Sequence, residues 1–477
     1  MNLRGWLGTH SIGPFVVSAL CAALAVGCGK MGADKQEGAG GGTAAGTGTG
    51  AGSAAPAKTD GPIKVGHYAS MTGSEATFGI STDNGIKLAT KERNAAGGVK
   101  GRKIEIVTLD TASKAAEAGT VVTRLINNEN VVALLGEVAS SASLAGGRVA
   151  QQYGVPMISP SSTNIRVTQI GDMIFRVCFI DPFQGYVVAR FAKDNLKAGK
   201  VAILYDQAQA YSKGLADDFK KAYTELGGKV TTEQAYTGGD TDVSAQLQSI
   251  KDTKPDAVFL PGYYTEAGNF VRQARKLGIK VPFLGGDGWD STKLVEIGGD
   301  AMEGNYYSNH YSADEQRPEV QEFVQKYKTE FGQVPDGLAA LGYDAARILF
   351  DAMDRAPSTG GKELAAAIAA TKEFPGVTGK ISIDADRNAQ KSAVVLQIKG
   401  GKPTFVASIG PKGSEAAAPA GGAAPAGGAA PAGGAAPAGA EPAKTEGKPT
   451  DSSGKAEPAK GEPNKGEPAK AAPAKTK

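Results

Sequence analysis

The chain has 477 residues, a formal net charge of +3, three cysteines and three histidines. So small a net charge, with no stretch that interleaves basic and aromatic residues, argues against nucleic-acid binding. The few cysteines and histidines show no metal-ligand spacing, so neither a metal site, nor a cofactor, nor histidine-based catalysis is expected.

The N-terminal 28 residues are typical of an export signal. Their apolar run at 15–26 is too short to span a bilayer comfortably. It ends in Ala-Val-Gly-Cys, which is similar to a bacterial lipobox, although Leu24 lies one position earlier than the usual leucine. We expect Cys28 to be lipidated and to become the new N-terminus, with plain cleavage or a retained anchor as alternatives. In each case the protein is exported, and a lipid anchor would hold it to a membrane of the cell envelope.

Two segments are too biased in composition to form a core. Residues 29–61 are rich in Gly, Ala and Thr and predict a flexible linker. Residues 412–477 begin with a repeated Ala-Ala-Pro-Ala-Gly-Gly unit and continue as a Lys/Glu/Pro segment. Proline at this density disfavours helix, so we predict a disordered tail. Spacing within the envelope is an alternative to an inert extension.

The remaining residues alternate short apolar runs with helical patterns. Strands are predicted at 63–66, 104–107, 131–135 and 155–158, and again at 201–205, 257–260 and 282–284. Between them, apolar residues recur at helical spacing, as in Phe219, Ala222, Tyr223 and Leu226. Continuous apolar strands that alternate with helices indicate parallel sheets covered on both faces.

The alternation occurs twice, with a break near Asp181, and therefore predicts an α/β protein of two doubly wound lobes. Helices are expected at 318–332, 338–355 and 362–370, and a strand pair near 379–383 and 393–398. We assign 62–181 and 309–378 to the first lobe, and 182–308 and 379–411 to the second. The late elements then cross several times between the lobes, as a multi-strand hinge.

Polar loops follow the predicted strands, where ligands bind in open α/β sheets. The first lobe presents hydroxyl groups at Ser140, Ser141 and 159–163, and the second presents aromatic residues and a carboxylate at 205–211, 262–266 and 286–289. A serine where a helix begins can cradle a carboxylate. Asp287 is a candidate partner for an ammonium group. The two lobes together could hold a zwitterion.

Each of these residues also has a simpler interpretation. Ser140 can be a helix cap, Asp287 a turn residue, and Tyr263 and Trp289 ordinary packing. Cys178 lies in an apolar, strand-like run and is interpreted as a buried hydrophobic residue rather than a reactive thiol.

From Ile63 to Ile409 the sequence resembles the branched-chain amino-acid-binding proteins of ABC importers, the Leu/Ile/Val-binding type. The resemblance depends on the order and spacing of six segments: Gly66 to Gly79, Asn94 to Gly101, Ser140-Ser141, Ser159 to Thr163, Tyr211 to Gly214, and Arg272 to Arg275. It implies a type I periplasmic-binding-protein fold, whose cleft between two lobes closes on the ligand.

The resemblance also implies roles for single residues. Ser140, Ser161 and Thr163 would hold the ligand's carboxylate, Tyr263 and Asp287 would meet its ammonium group, and Phe78 and Tyr211 would line the side-chain end. The sequence departs from the family in two places. The first-lobe disulfide is missing, because residues 111–113 and Ala139 carry no cysteine. The usual glutamate is Asp287 here, and Trp289 beside it is expected to narrow the pocket.

The predicted function is therefore capture of a branched-chain or other apolar amino acid by a monomeric, extracytoplasmic protein that delivers it to ABC permease subunits. One alternative is a different solute on the same fold, such as an amide, a urea-like solute or an aromatic acid. Another is a sensing module that is not coupled to import. An enzyme is not expected, since no nucleophile elbow, P-loop or dinucleotide fingerprint is found.

Overall fold

The structure, a computed structural model, describes residues 61–411. The expected export signal with Cys28, nearly all of the expected linker at 29–61, and the tail at 412–477 lie outside the described residues. Within 61–411, no helix combines the length and the apolar character needed to cross a membrane.

The first part of the described chain alternates strands and helices. Its elements are β1 (Ile63–Ala69), α1 (Ala76–Ala95), β2 (Ile104–Asp110), α2 (Ala115–Asn127), β3 (Ala133–Leu135), α3 (Ser140–Tyr153), β4 (Met157–Ser159) and β5 (Ile174–Arg176). The five strands form one parallel sheet in the order β2-β1-β3-β4-β5. Every residue of β3, β4 and β5 is buried, as expected for strands covered on both faces.

The second part repeats the alternation. Its elements are α4 (Asp181–Asp194), β6 (Lys200–Asp206), α5 (Ala210–Glu225), β7 (Lys229–Tyr236), α6 (Ser244–Asp252), β8 (Ala257–Phe259), α7 (Tyr264–Lys276), β9 (Phe283–Gly285), α8 (Thr292–Gly298) and β10 (Tyr306–Asn309). Strands β10, β9, β8, β6 and β7 are neighbours in that order and run parallel.

The last part returns to both sheets. Its elements are α9 (Pro318–Phe331), α10 (Gly337–Arg355), α11 (Gly361–Ala369), β11 (Phe374–Gly376), β12 (Gly379–Ile383), β13 (Ala389–Gln390), β14 (Ala393–Lys399) and β15 (Lys402–Ile409). Helix α10 packs against α1. Their backbones approach so closely at Gly85 that a Cβ there would lie 2.0 Å from the Ala339 carbonyl oxygen, which explains the glycine.

The fold therefore has two doubly wound α/β lobes, one around each large sheet. Three connections pass between the lobes: residues 177–180 after β5, residues 310–317 after β10, and residues 391–392 before β14. They form the multi-strand hinge that the sequence predicts, and the cleft between the lobes lies beside them.

The expected pairing of 379–383 with 393–398 is wrong. Strand β12 pairs with β11 and β13, whereas β14 pairs with β10 and β15 in the second large sheet. The Thr168 hydroxyl donates to Asn388, and the Arg387 carbonyl accepts from the Arg176 N–H. Residues 379–390 therefore pack on the first lobe. The assignment of these residues to the second lobe, made from the sequence, is wrong.

Candidate functional site

A small cavity lies in the cleft between the lobes. It is lined by Phe78, Val138, Ser161 and Leu338 from the first lobe and by Tyr211, Tyr263, Asp287 and Gly288 from the second. Ser161, Tyr263 and Asp287 follow the carboxyl ends of β4, β8 and β9, where ligands of open α/β sheets bind. Five of the seven predicted binding residues thus share one cavity.

The cleft is closed by hydrogen bonds between the lobes. The hydroxyl oxygens of Thr77 and Ser291 are 2.9 Å apart, and the Thr265 hydroxyl donates to the Ser74 carbonyl at 2.7 Å. These contacts join the start of α1 to the start of α8 and of α7. The cavity is consequently enclosed by both lobes.

Aromatic rings form much of the cavity surface. The rings of Tyr211 and Tyr263 stack with centroids 5.3 Å apart, and Phe78 meets the Tyr263 ring edge-on at 5.5 Å. Phe78 belongs to the first lobe, so its contact with Tyr263 crosses the cleft. With Val138 and Leu338, these rings offer an apolar surface to part of a ligand.

Two hydroxyl groups in the cavity lack protein partners. The Ser161 Oγ and the Tyr263 hydroxyl are buried and make no hydrogen bond within the described residues. A buried polar group without a partner costs about 1–3 kcal/mol, so native structures rarely leave one unpaired. A polar ligand in the cavity would satisfy both groups.

The carboxylate of Asp287 is buried and is held by two donors. Gln184 Nε2 donates to Oδ1 at 2.8 Å, and His310 Nε2 lies 2.9 Å from Oδ2. Burial lowers the pKa of His310 to about 4, so the ring is neutral at pH 7 and donates from Nε2. Among residues 61–411, no lysine or arginine pairs with Asp287. A buried carboxylate with neutral partners favours a cationic group in the cavity.

Ser140 and Thr163 lie outside the set of side chains that line the cavity. Ser140 is the first residue of α3, and its Oγ accepts the Asn164 N–H at 3.3 Å instead of capping the helix. The neighbouring Ser141 Oγ accepts the Ala210 N–H at 3.0 Å, across the cleft. The Thr163 hydroxyl is buried and has no hydrogen-bond partner among residues 61–411.

The loop that carries Ser161 and Thr163 is anchored by Arg176, which the sequence analysis did not single out. The Arg176 side chain is fully buried and donates to the carbonyls of Ser162 and Asn164. A lone arginine in an apolar strand is a signal that could have found it, because a buried guanidinium needs several acceptors. Gln184 and His310 carried no comparable local signal.

Trp289 does not narrow the pocket as expected. Its side chain is fully buried, and its Nε1 donates to the Leu260 carbonyl at 3.1 Å. A Cβ at Gly285 would lie 2.2 Å from the Trp289 ring, so the indole packs directly on β9. The simpler interpretation of Trp289 as core packing is therefore the right one.

Cys178 is buried in the first connection between the lobes. Burial raises the pKa of its thiol to about 12, so the thiolate is not populated at neutral pH. In residues 61–411, no group of three or more His, Cys, Asp or Glu side chains is arranged to hold a metal ion.

Comparison with known proteins finds one family over almost the whole described region. The family described as "Periplasmic binding protein" matches residues 62–402. The chain is 34% identical to a Leu/Ile/Val-binding protein homolog 2 of Brucella abortus, over 70% of this chain and 89% of the relative.

Two solved structures are similar in sequence and fold. One is the leucine-binding protein LivK of Thermotoga maritima, with 42% identity and a TM-score of 0.71 over 73% of this chain and 99% of the other. The other is the branched-chain amino acid transporter substrate-binding protein LivJ of Streptococcus pneumoniae, in complex with isoleucine. It has 35% identity and a TM-score of 0.70 over 73% of this chain and 100% of the other.

Proposed function

The chain belongs to the periplasmic binding protein family, and from that premise we propose that it captures an amino acid with an apolar side chain for an ABC importer. The family works outside the cytoplasm, and its members of this type are solute-binding proteins that serve a permease. The solute, the residues that bind it and the lipid anchor at Cys28 are part of the proposal.

The observation that carries the proposal is the buried carboxylate of Asp287. It lines the cavity, and its two hydrogen-bond donors, Gln184 and His310, are both neutral at pH 7. A ligand with an ammonium group supplies the missing positive charge. A ligand without one leaves a buried carboxylate uncompensated, which is strongly unfavourable.

The rest of the cavity suits the other parts of an amino acid. The unpaired Ser161 hydroxyl, together with Ser140 and Thr163 beside the cavity, is assigned to the carboxylate. Phe78 and Tyr211 are assigned to the side chain, since they belong to the apolar surface. The names of the relatives mention leucine, isoleucine or valine. They therefore favour a branched-chain amino acid as the ligand.

Capture proceeds by closure. A ligand that contacts both lobes binds the closed state more tightly than the open one, and so shifts the population towards closure. The contacts of Thr77 with Ser291 and of Thr265 with Ser74 form only when the lobes meet. They add to the preference of the ligand for the closed state.

The charge of the cavity argues against the alternative solutes. An aromatic acid brings a second negative charge towards Asp287, and an amide or urea-like solute brings no positive charge. A sensing role uses the same closure, and the cavity does not distinguish it from import. We favour import because the relatives of known structure include a transporter component.

Titration calorimetry with the purified protein tests the proposal. The panel contains leucine, isoleucine and valine, the 2-oxo acid of leucine, and benzoate. We expect at least one amino acid to bind, and the 2-oxo acid, which lacks the ammonium group, to bind more than tenfold more weakly. Tighter binding of benzoate or of the 2-oxo acid, or no binding of any amino acid, would contradict the proposal.

A further inference from the structure

A second buried carboxylate, that of Asp181, is not among the side chains that line the cavity and has no assigned role. Asp181 is the first residue of α4, where the chain enters the second lobe, and its side chain is 1% exposed. Neither of its carboxylate oxygens makes a hydrogen bond within the described residues. Two unpaired oxygens on one buried carboxylate are unusual, because buried polar groups are normally satisfied.

The surroundings of Asp181 come from both lobes. Its own N–H donates to the Thr163 carbonyl at 2.9 Å, which ties it to the hydroxyl-bearing loop of the first lobe. The Thr163 hydroxyl is close enough to lower the Asp181 pKa, yet it forms no well-aligned hydrogen bond. On the other side, a Cβ at Gly214 of α5 would be 3.4 Å from Asp181 Oδ2. Asp181 is thus enclosed between the Thr163 loop and the helix that carries Tyr211.

Asp181 and Asp287 are close enough to influence each other. Burial raises the pKa of Asp181 well above its usual value, and the charges of Asp287 and Asp218 raise it further. Thr163 and the Arg176 guanidinium act in the opposite direction.

The charges of Asp181 and Asp287 also act on the two tyrosines of the cavity. Burial raises the pKa of Tyr211 and of Tyr263 well above their usual values. The charges of Asp287 and Asp181 contribute at Tyr211, and at Tyr263 they follow the larger contributions of Glu75 and Glu137. Asp181 and Asp287 therefore act together on the volume that these two rings enclose.

We propose that Asp181 is a second acidic contact for the ligand's ammonium group, which it holds together with Asp287. An ammonium group has three N–H donors, enough for both carboxylates and one hydroxyl oxygen. Tyr263, whose hydroxyl lines the cavity and has no partner among residues 61–411, is the natural third acceptor. The inference rests on the proposed function, because it requires an amino acid in the cavity.

Ligand binding should also change whether Asp181 carries a proton. In the empty cavity, Asp181 holds a proton to a higher pH than an exposed aspartate does, because ionisation would bury an unpaired charge beside Asp287. The ammonium group stabilises the ionised form, so at any pH at which Asp181 of the free protein is protonated, the ligand expels that proton when it binds. Amino-acid affinity then falls as the pH is lowered, because protons compete with the ligand for Asp181.

Calorimetry of Asp181→Asn tests the inference with two ligands. One is the amino acid that binds the wild-type protein most tightly, and the other is its 2-oxo acid. We expect the variant to bind the amino acid at least tenfold more weakly and to change its affinity for the 2-oxo acid much less. Asp194→Asn is the control, since Asp194 is the exposed last residue of the same helix, and it should bind like the wild type.

A second measurement needs no variant. The wild-type protein is titrated with the amino acid in phosphate and in Tris, whose ionisation enthalpies differ widely. Proton release appears as a difference between the two binding enthalpies. Equal enthalpies, together with an amino-acid affinity that stays constant as the pH is lowered, would overturn the inference. Unchanged amino-acid affinity in Asp181→Asn, or an equal loss for both ligands, would overturn it as well. A wild-type protein that binds no amino acid overturns the proposed function itself, which separates the two failures.

Discussion

His310 Nε2 lies 2.9 Å from Asp287 Oδ2, and this contact joins the cavity to the second connection between the lobes. The His310 ring also stacks on Phe179 of the first connection, with centroids 3.7 Å apart. A carboxylate assigned to the ligand is thereby fixed to the segments about which the lobes move. His310 is a positioning residue in this scheme, since it acts on the ligand through Asp287.

The first prediction concerns this hydrogen bond. His310→Phe keeps a ring against Phe179 but removes the donor to Asp287. A hydrogen bond to a charged group contributes about 1.5–3 kcal/mol, so amino-acid affinity should fall about tenfold or more in calorimetry. Phe179→Leu is the control, because it removes the stacking and leaves the donor. Equal losses in both variants would mean that His310 acts through packing alone.

The second prediction concerns the charge of Asp287. Asp287→Ala should weaken amino-acid binding by more than tenfold, since it leaves a buried ammonium group without its carboxylate. Asp300→Ala, at an exposed position of the same lobe, serves as the control. Calorimetry at pH 7 measures both. An affinity for Asp287→Ala that equals the wild-type value would rule out its assigned role.

The third prediction separates ligand contacts from structural hydroxyl groups. Tyr263→Phe removes a hydroxyl with no protein partner, so the unfolding temperature of the free protein should not fall, while ligand affinity should. Tyr307→Phe should do the reverse, because the Tyr307 hydroxyl donates to Asp290 at 2.9 Å in the core of the second lobe. Thermal unfolding and calorimetry on both variants check the contrast. A loss of stability in Tyr263→Phe without a loss of affinity would count against the ligand contact.

The fourth prediction concerns closure. Thr77→Val keeps the shape of the side chain but removes the hydrogen bond to Ser291 across the cleft. The closed state should become less favourable, so the ligand should dissociate faster in stopped-flow experiments, with an affinity reduced by a factor of about 2 to 10. Thr224→Val, where the exposed hydroxyl bonds only within its own helix, is the matched control. Identical dissociation rates in the two variants would exclude a role for the Thr77 contact.

The fifth prediction concerns the pH dependence of stability. Burial, and then the charge of Asp290, raise the pKa of Asp336 to about 7, although the Ser81 hydroxyl and the Ala339 N–H both donate to it. Between about pH 4 and pH 7 the folded protein keeps a proton that the unfolded chain has lost. Asp336 therefore makes the protein less stable as the pH rises through this window.

Asp336→Asn removes the titration and keeps a side chain that can cap α10. The unfolding temperature of the variant, relative to the wild type, should be higher at pH 8 than at pH 4.5. Differential scanning calorimetry at the two pH values measures this. A constant difference between variant and wild type would contradict the raised pKa of Asp336.

Much of the fold could be predicted from local patterns. The apolar run at 201–205 lies within β6 (Lys200–Asp206), and the helix expected at 318–332 is α9 (Pro318–Phe331). Two of the strands that were missed are edge strands. Strand β7 is the edge of its sheet and is mostly half-buried, so it has no continuous apolar run. Strand β15, the other edge, is mostly exposed.

The expected family membership is confirmed by the comparisons, and the pattern of two doubly wound lobes by the structure. The family and the two-lobe pattern could be predicted from the sequence because buried strands, helical faces and loops after strands are local signals that recur in a recognisable order. For the same reason it named most of the side chains that line the cavity.

Only the tertiary structure decided how those side chains are held. Gln184 reaches Asp287 across 103 positions of the chain, and His310 reaches it from the hinge. The direction of Trp289, which points into the core, and the unpaired carboxylate of Asp181 emerged in the same way. The physical reason is that a buried polar group takes its partner from whatever segment packs against it, and neighbours in sequence do not reveal which segment that is.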